Sequence, residues 1–170
     1  MAEVDFRCGK DGSEIMTPQT AHSHLPILEE ILDRHHVQSV LEFGMGDGST
    51  GLFLDRCMRV VSVEMQNLSW HEKLIKRWGH RTAWIPVLDI GPTVGKLPPG
   101  RFDLVFVDGH GDSRPEQIMA AMMVADLIAV HDTQEPGYMW GRIKDNMPAG
   151  WTWTDDKRSP TWTSILEKAQ

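Results

Sequence analysis

The chain has 170 residues, 41% of them hydrophobic and 24% charged, and carries a formal net charge of −7. That length supports one domain around one core, the hydrophobic share is too high for wholesale disorder, and no apolar run reaches the roughly 18 residues of a membrane-spanning helix. The acidic balance weighs against a nucleic-acid partner, while a charged start without a signal-like core and two cysteines, Cys8 and Cys57, without metal-ligand spacing make a cytoplasmic setting the expectation.

Residues 1–24 show weak periodicity and read as an irregular lead-in; residues 25–170 read as one domain with no repeat or linker. Leu25, Leu28, Ile31 and Leu32 share a helical face, with Pro26 in the first turn and Ser23 or His24 near the cap. His35 and His36 end this helix, where a cation favours the dipole. Val40-Leu41-Glu42-Phe43 is a short strand running into Gly44-Met45-Gly46-Asp47-Gly48, and residues 49–57 follow as a short helix. Residues 60–63 are a β-branched strand ended by Glu64. Ser69-x-x-Glu72 is a capping-box pattern opening a helix with Leu74, Ile75 and Trp78 on one face. Residues 84–88 form a third strand despite Pro86, and residues 103–107 a fourth that ends at Asp108. Ser113-Arg114-Pro115-Glu116 starts a helix carrying Ile118, Met119, Met122 and Met123, the methionines read as core filling. Residues 127–130 are a fifth strand, ending at His131-Asp132. Met139, Trp140, Ile143 and Met147 share another helical face, and residues 151–154 and 161–163 flank a polar turn as a closing hairpin.

Five short apolar strands alternating with amphipathic helices are βαβ units. They predict an α/β fold, a doubly wound and mostly parallel sheet, with the hairpin as a C-terminal antiparallel addition. Such sheets bind ligands beyond the carboxyl ends of their strands. Glu64, Asp89, Asp108 and Asp132 each stand at or just past a strand end. Any one of them reads equally well as a helix-start cap. Four beside a glycine loop point to a ligand site.

Alternate glycines let the backbone turn sharply and let a ligand approach closely. The spacing fits neither the dinucleotide fingerprint, whose third glycine would fall where Ser49 stands, nor a P-loop. With Glu42 two residues before the loop and Glu64 ending the next strand, the pattern E-x-G-x-G-x-G resembles the class I S-adenosylmethionine-dependent methyltransferases. The resemblance spans residues 38–132 and implies that family's Rossmann-like fold. It implies that Gly44, Gly46, Gly48 and Ser49 pack against the methionine and ribose part of the cofactor. Glu64 would accept hydrogen bonds from the ribose hydroxyls, a task that suits an acceptor-only carboxylate. Glu42 would orient the amino-acid end, and Asp89 would contact the adenine. A NAD-binding Rossmann enzyme is the alternative, since it too places an acid after the second strand.

The Asp108-Gly109-His110 and His131-Asp132 runs look like the D-G-x-H or D-G-H and the H-D signatures of small-molecule and sugar O-methyltransferases, some of which are metal-dependent. The resemblance implies Asp108 and Asp132 as ligands of a divalent ion such as Mg²⁺, and a histidine in the set would favour a transition metal. The chain departs from the pattern, with His131 or Thr133 in place of a second acid or amide and without the usual Pro-Gly-Gly turn, so metal assistance stays open. His110 and His131 are candidate general bases, with Asp108 as orienter or base; His131 also reads as a turn cap. His22, His24, His35, His36, His71 and His80 carry no pattern and are expected at the surface. The seven tryptophans read mainly as packing, with Trp140 and Tyr138 as candidate walls for a planar substrate.

The expected function is methyl transfer from S-adenosylmethionine to a hydroxyl of a small molecule or sugar. A non-catalytic cofactor-binding or assembly protein of the same fold is the alternative from another class. Nucleic-acid methylation is disfavoured by the charge and by the absence of an N/D-P-P-Y/F tetrapeptide, and no membrane partner is expected. Only residues 1–24, the loop after Asp108 and residues 133–140 remain to shape an acceptor site, which is therefore either open or completed by a second copy in a homo-oligomer.

Overall fold

The computed structural model describes residues 22–89, 97–138 and 140–169, so Cys8, most of the expected lead-in and Met139 lie outside the described residues. Five parallel strands, β1 (Ser39–Phe43), β2 (Arg59–Glu64), β3 (Trp84–Leu88), β4 (Leu104–Val107) and β5 (Leu127–His131), lie side by side in the order β3-β2-β1-β4-β5. The antiparallel strands β6 (Trp151–Asp156) and β7 (Thr163–Lys168) extend the sheet beyond β5, with β7 inside and β6 at the edge. The chain thus winds outward from β1 and returns to β4 on its other side. Phe43 pairs with Val107, so the two strands end level and their following loops meet at the switch point.

Helices α1 (Leu25–His35), α2 (Ser49–Arg56), α3 (Leu68–Trp78), α4 (Arg114–Val124) and the short α5 (Trp140–Lys144) cover the sheet. Alternation along the strands feeds two cores. Leu104 and Phe106 face Leu28, Phe53 and Leu74, while Val105 and Val107 pack with Ile118 and Ile143. Burial on both faces explains why the parallel strands read as continuous apolar runs.

Three local expectations change. The α3 cap is Asn67, extended at φ −139°, whose side chain accepts the Trp70 N–H at 3.2 Å; Ser69 instead donates to Asn67 at 2.8 Å. An N-cap needs that extended backbone, and Asn67 has it one residue before the helix begins. In α4 the packed face is Arg114, Gln117, Ile118 and Ala121, which leaves Met119 and Met123 43% and 74% exposed, so these methionines do not fill the core. His24 is buried at the α1 N-cap against Phe106 and His131 and is not a surface residue. Pro86, by contrast, is accommodated because β3 is an edge strand. No helix among the described residues is long and apolar enough to cross a membrane.

Candidate active site

The loop after β1 is built from below. Glu42 is fully buried, and Ser49 Oγ donates to its Oε1 at 2.5 Å while Thr50 Oγ1 donates to its Oε2 at 2.6 Å. Thr50 Oγ1 also accepts the Gly46 N–H at 3.1 Å, so one acid fastens the loop to the first turn of α2. Burial pushes the Glu42 carboxyl up to about 7, against the pull of hydrogen bonds from Ser49, Ser62 and Thr50. Glu42 and Ser49 therefore lie on the underside of the loop. Gly44, at φ +88°, crosses the end of β4 so closely that a Cβ would overlap the carbonyl oxygen of Asp108. Its N–H donates to Val63 O at 2.9 Å, which ties the loop to β2 as well. Gly48 packs against the His22 ring, and Trp70 Nε1 donates to Met45 O at 2.7 Å from the α3 side.

At the end of β2, Glu64 is 4% exposed, and its Oε1 accepts the N–H groups of Gln66 at 2.8 Å and Asn67 at 3.0 Å. Among the described residues no hydrogen bond reaches Oε2. The Asp89 N–H donates to Glu64 O at 2.9 Å, so these two acids stand side by side on the carboxyl edge of the sheet.

The ends of β4 and β5 form the second half. Asp108, His131 and Asp132 bring one ligand-type atom each within 4.8 Å of one another. Arg114, 3% exposed at the start of α4, reaches into this group. Its Nη2 lies 3.0 Å from Asp108 Oδ1 and 3.5 Å from Asp132 Oδ2, Nε donates to Gly109 O at 2.8 Å, and Nη1 donates to His131 O. The Tyr138 ring covers the guanidinium at 4.4 Å and lies so close to Gly111 that a side chain there would collide with it. Asp132 takes a left-handed φ of 56°, an uncommon conformation that for Asp marks a turn or a functional constraint.

Burial pulls the His131 imidazole down to about 4 and the His24 imidazole to about 4, so both are neutral near pH 7. His131 Nε2 lies 3.3 Å from Asp132 Oδ1 and Nδ1 lies 3.3 Å from Thr163 Oγ1. Of the two, the contact with Thr163 has hydrogen-bond geometry, while that with Asp132 is a close approach only. Burial also raises the Asp108 carboxyl to about 6, opposed by the Arg114 charge. Its side chain nevertheless stays 24% exposed to a cavity of about 540 Å³. Gln66 walls this cavity on the β2 side; Asp108, His110 and Asp112 wall it on the β4 side, and Asp132, Tyr138 and Thr161 complete it. His110 sits exposed on the rim.

Two carboxylates and an imidazole are a donor set for a divalent ion, yet Arg114 Nη2 already bridges the same two carboxylates. Like unit charges about 4 Å apart repel by roughly 4 kcal/mol at an effective dielectric of ~20, and a divalent ion doubles that. The residues present do not fit a resident metal bridging Asp108 and Asp132.

The structure thus brings the glycine loop and Glu64 to one side of the switch point and Asp108, His131 and Asp132 to the other. Arg114 and His24 escaped the sequence reading. For Arg114 a signal existed: a cation at the first residue of a helix opposes the helix dipole, and it becomes favourable only beside acids such as Asp108 and Asp132. His24 offered none, because its partners lie more than eighty residues away in sequence.

No protein-family model matches the chain, and no curated protein matches it by sequence. Solved structures do match. A candidate RNA methyltransferase from Pyrococcus horikoshii aligns with a TM-score of 0.65 at 17% identity, over 92% of this chain and 87% of that one. An rRNA methylase from Streptococcus thermophilus gives 0.65 at 14% identity, over 93% and 100%. A candidate methyltransferase from Streptococcus mutans, solved with SAH, gives 0.64 at 12% identity, over 91% and 99%. At these identities the likeness is one of fold: the chain has the Rossmann-like fold of class I methyltransferases, with the antiparallel β5-β7-β6 arrangement at its end.

Proposed function

We propose that the protein transfers a methyl group from S-adenosylmethionine to a hydroxyl of a small polar molecule such as a sugar. The observation that carries this reading is the cavity at the carboxyl edge of a methyltransferase-type sheet, bounded by Gln66 next to Glu64 on one side and by Asp108 and Asp132 on the other. S-adenosylmethionine supplies an already electrophilic methyl group, so the protein's tasks are positioning, water exclusion and proton removal. Glu64 Oε2 and the glycine loop hold the nucleoside and methionine parts. Asp108 takes the hydroxyl proton: Arg114 fixes its Oδ1, and its carboxylate still faces the cavity. This role favours Asp108 over His131, which is 4% exposed and holds Thr163 Oγ1 with Nδ1. His131 then orients Asp132. The lining is rich in carboxylates, and its arginine is buried beneath them, which suits hydroxyl donors better than phosphate.

Calorimetry with S-adenosylmethionine, followed by a screen of hydroxylated acceptors read by release of the demethylated cofactor, tests the proposal. Glu64→Ala should weaken cofactor binding roughly tenfold or more, as expected for loss of a charged hydrogen-bond acceptor. Asp108→Asn should leave that binding within about threefold while lowering turnover about a hundredfold, the scale of general-base catalysis. Absence of cofactor binding at millimolar concentration would sink the proposal.

A further inference from the structure

We infer that Arg114 is the resident cation of this site, a positioning residue that holds Asp108 and Asp132 in place of a divalent ion. The inference deepens the reading of the cavity as the acceptor site and rests on it. The guanidinium is fixed from four directions at once: the carboxylates of Asp108 and Asp132, the carbonyl of Gly109 after β4, and the carbonyl of His131 at the end of β5. The Tyr138 ring closes the remaining face. A group held this way is part of the framework and not a mobile counter-ion that an incoming metal could push aside. Its planar fork keeps several donors in fixed directions. It therefore supplies positive charge where two strand-end acids converge, the service a metal would give.

Its place in the chain supports the same conclusion. Arg114 opens α4, where the helix dipole disfavours a cation, and Pro115 and Glu116 follow it. Packing alone would favour an apolar residue at a position 3% exposed. The two acids account for the charge. Asp132, turned back by its left-handed backbone, meets both Arg114 and the neutral His131, so the arginine and the imidazole together fix one carboxylate while the arginine alone fixes the other.

The test uses the full chain and Mn²⁺ as the probe, with free Mn²⁺ read by electron paramagnetic resonance. Wild-type protein should leave about 1 mM Mn²⁺ essentially free, and any methyl transfer it performs should be unchanged by chelator. Arg114→Met removes the charge and keeps much of the volume, exposing two acids and an imidazole that already have ligand spacing. It should bind one Mn²⁺ at least ~30-fold more tightly than wild type, and Asp132→Asn in that background should abolish the gain. If Arg114→Met does not fold, Arg114→Gln, which can keep hydrogen bonds to the Gly109 and His131 carbonyls, carries the same expectation. Stoichiometric Mn²⁺ binding by wild type that Asp108→Asn removes would overturn the inference, as would a folded charge-removed variant that gains no metal affinity. The Mn²⁺ readout does not depend on turnover, so a failure of the methyl-transfer proposal shows separately, as absent cofactor binding.

Discussion

Glu42 and Glu64 flank the same glycine loop, yet their oxygens face different surroundings. Both Glu42 oxygens are taken by Ser49 and Thr50 inside the protein, whereas Glu64 spends one oxygen on its own turn. The difference has a pH signature. Burial raises Glu42 from an ordinary 4.5 to about 7, so the folded state binds its proton more tightly than the unfolded chain does. Its contribution to stability is therefore complete below the unfolded value and is lost as pH rises through the folded one, an effect of about 3 kcal/mol at most. Relative to Glu42→Gln, which keeps the shifts of Asp108, His24 and His131, wild type should lose thermal stability from about pH 5 to about pH 8. Parallel declines would mean that Glu42 does not carry it. At this scale the sequence revealed which residues stand at strand ends, because strand-end acids after apolar runs are visible locally. It did not reveal which acids face inward. That depends on Ser49, Thr50 and Ser62 closing over Glu42, and on Arg114 arriving from α4 to meet Asp108 and Asp132.

Elements were more legible than contacts. Each of the five parallel strands was expected within one or two residues of its observed span, because four to six β-branched or aliphatic residues bounded by acids and glycines leave little ambiguity. The capping box of α3 misled because Ser69 and Glu72 satisfy the pattern while Asn67 holds the backbone geometry. Met119 and Met123 of α4 misled because hydrophobicity was read as burial, whereas Met122 does pack against the core beside the face of Ile118 and Ala121. Two glycines separate conformational freedom from close approach. Gly44 and Gly150 have nearly the same φ, +88° and +87°, but a Cβ at Gly44 would strike the β4 loop while one at Gly150 meets nothing within 4 Å. Gly150→Ala should cost about 1 kcal/mol in urea unfolding, the strain of a left-handed alanine, and Gly44→Ala roughly 3 kcal/mol or more. Equal losses would show that the contact between the β1 and β4 loops is slack.

Among the described residues, much of the charge is arranged in local pairs. Arg56 meets Asp33, Lys73 and Arg77 meet Asp47, Arg81 meets Asp55, Arg101 meets Asp126, and Arg158 joins Glu30 to Asp156. Cations already matched to acids do not form the basic stripe on which phosphate recognition depends. Filter binding with a structured RNA at about 150 mM salt should therefore show no retention by this chain. Retention that falls steeply with added salt would favour an RNA acceptor over a small hydroxylated one.

The cavity walls also differ in what supports them. Gln66, His110 and Thr161 come from turns and loops, whereas the glycine loop is fastened from below through Glu42, from β2 through Val63 and from α3 through Trp70. Substitutions on the loop-borne walls can alter what fits without disturbing the sheet, and substitutions under the glycine loop cannot. The molecule is thus divided into cavity walls that can change alone and a glycine loop whose every change is passed to the sheet beneath it.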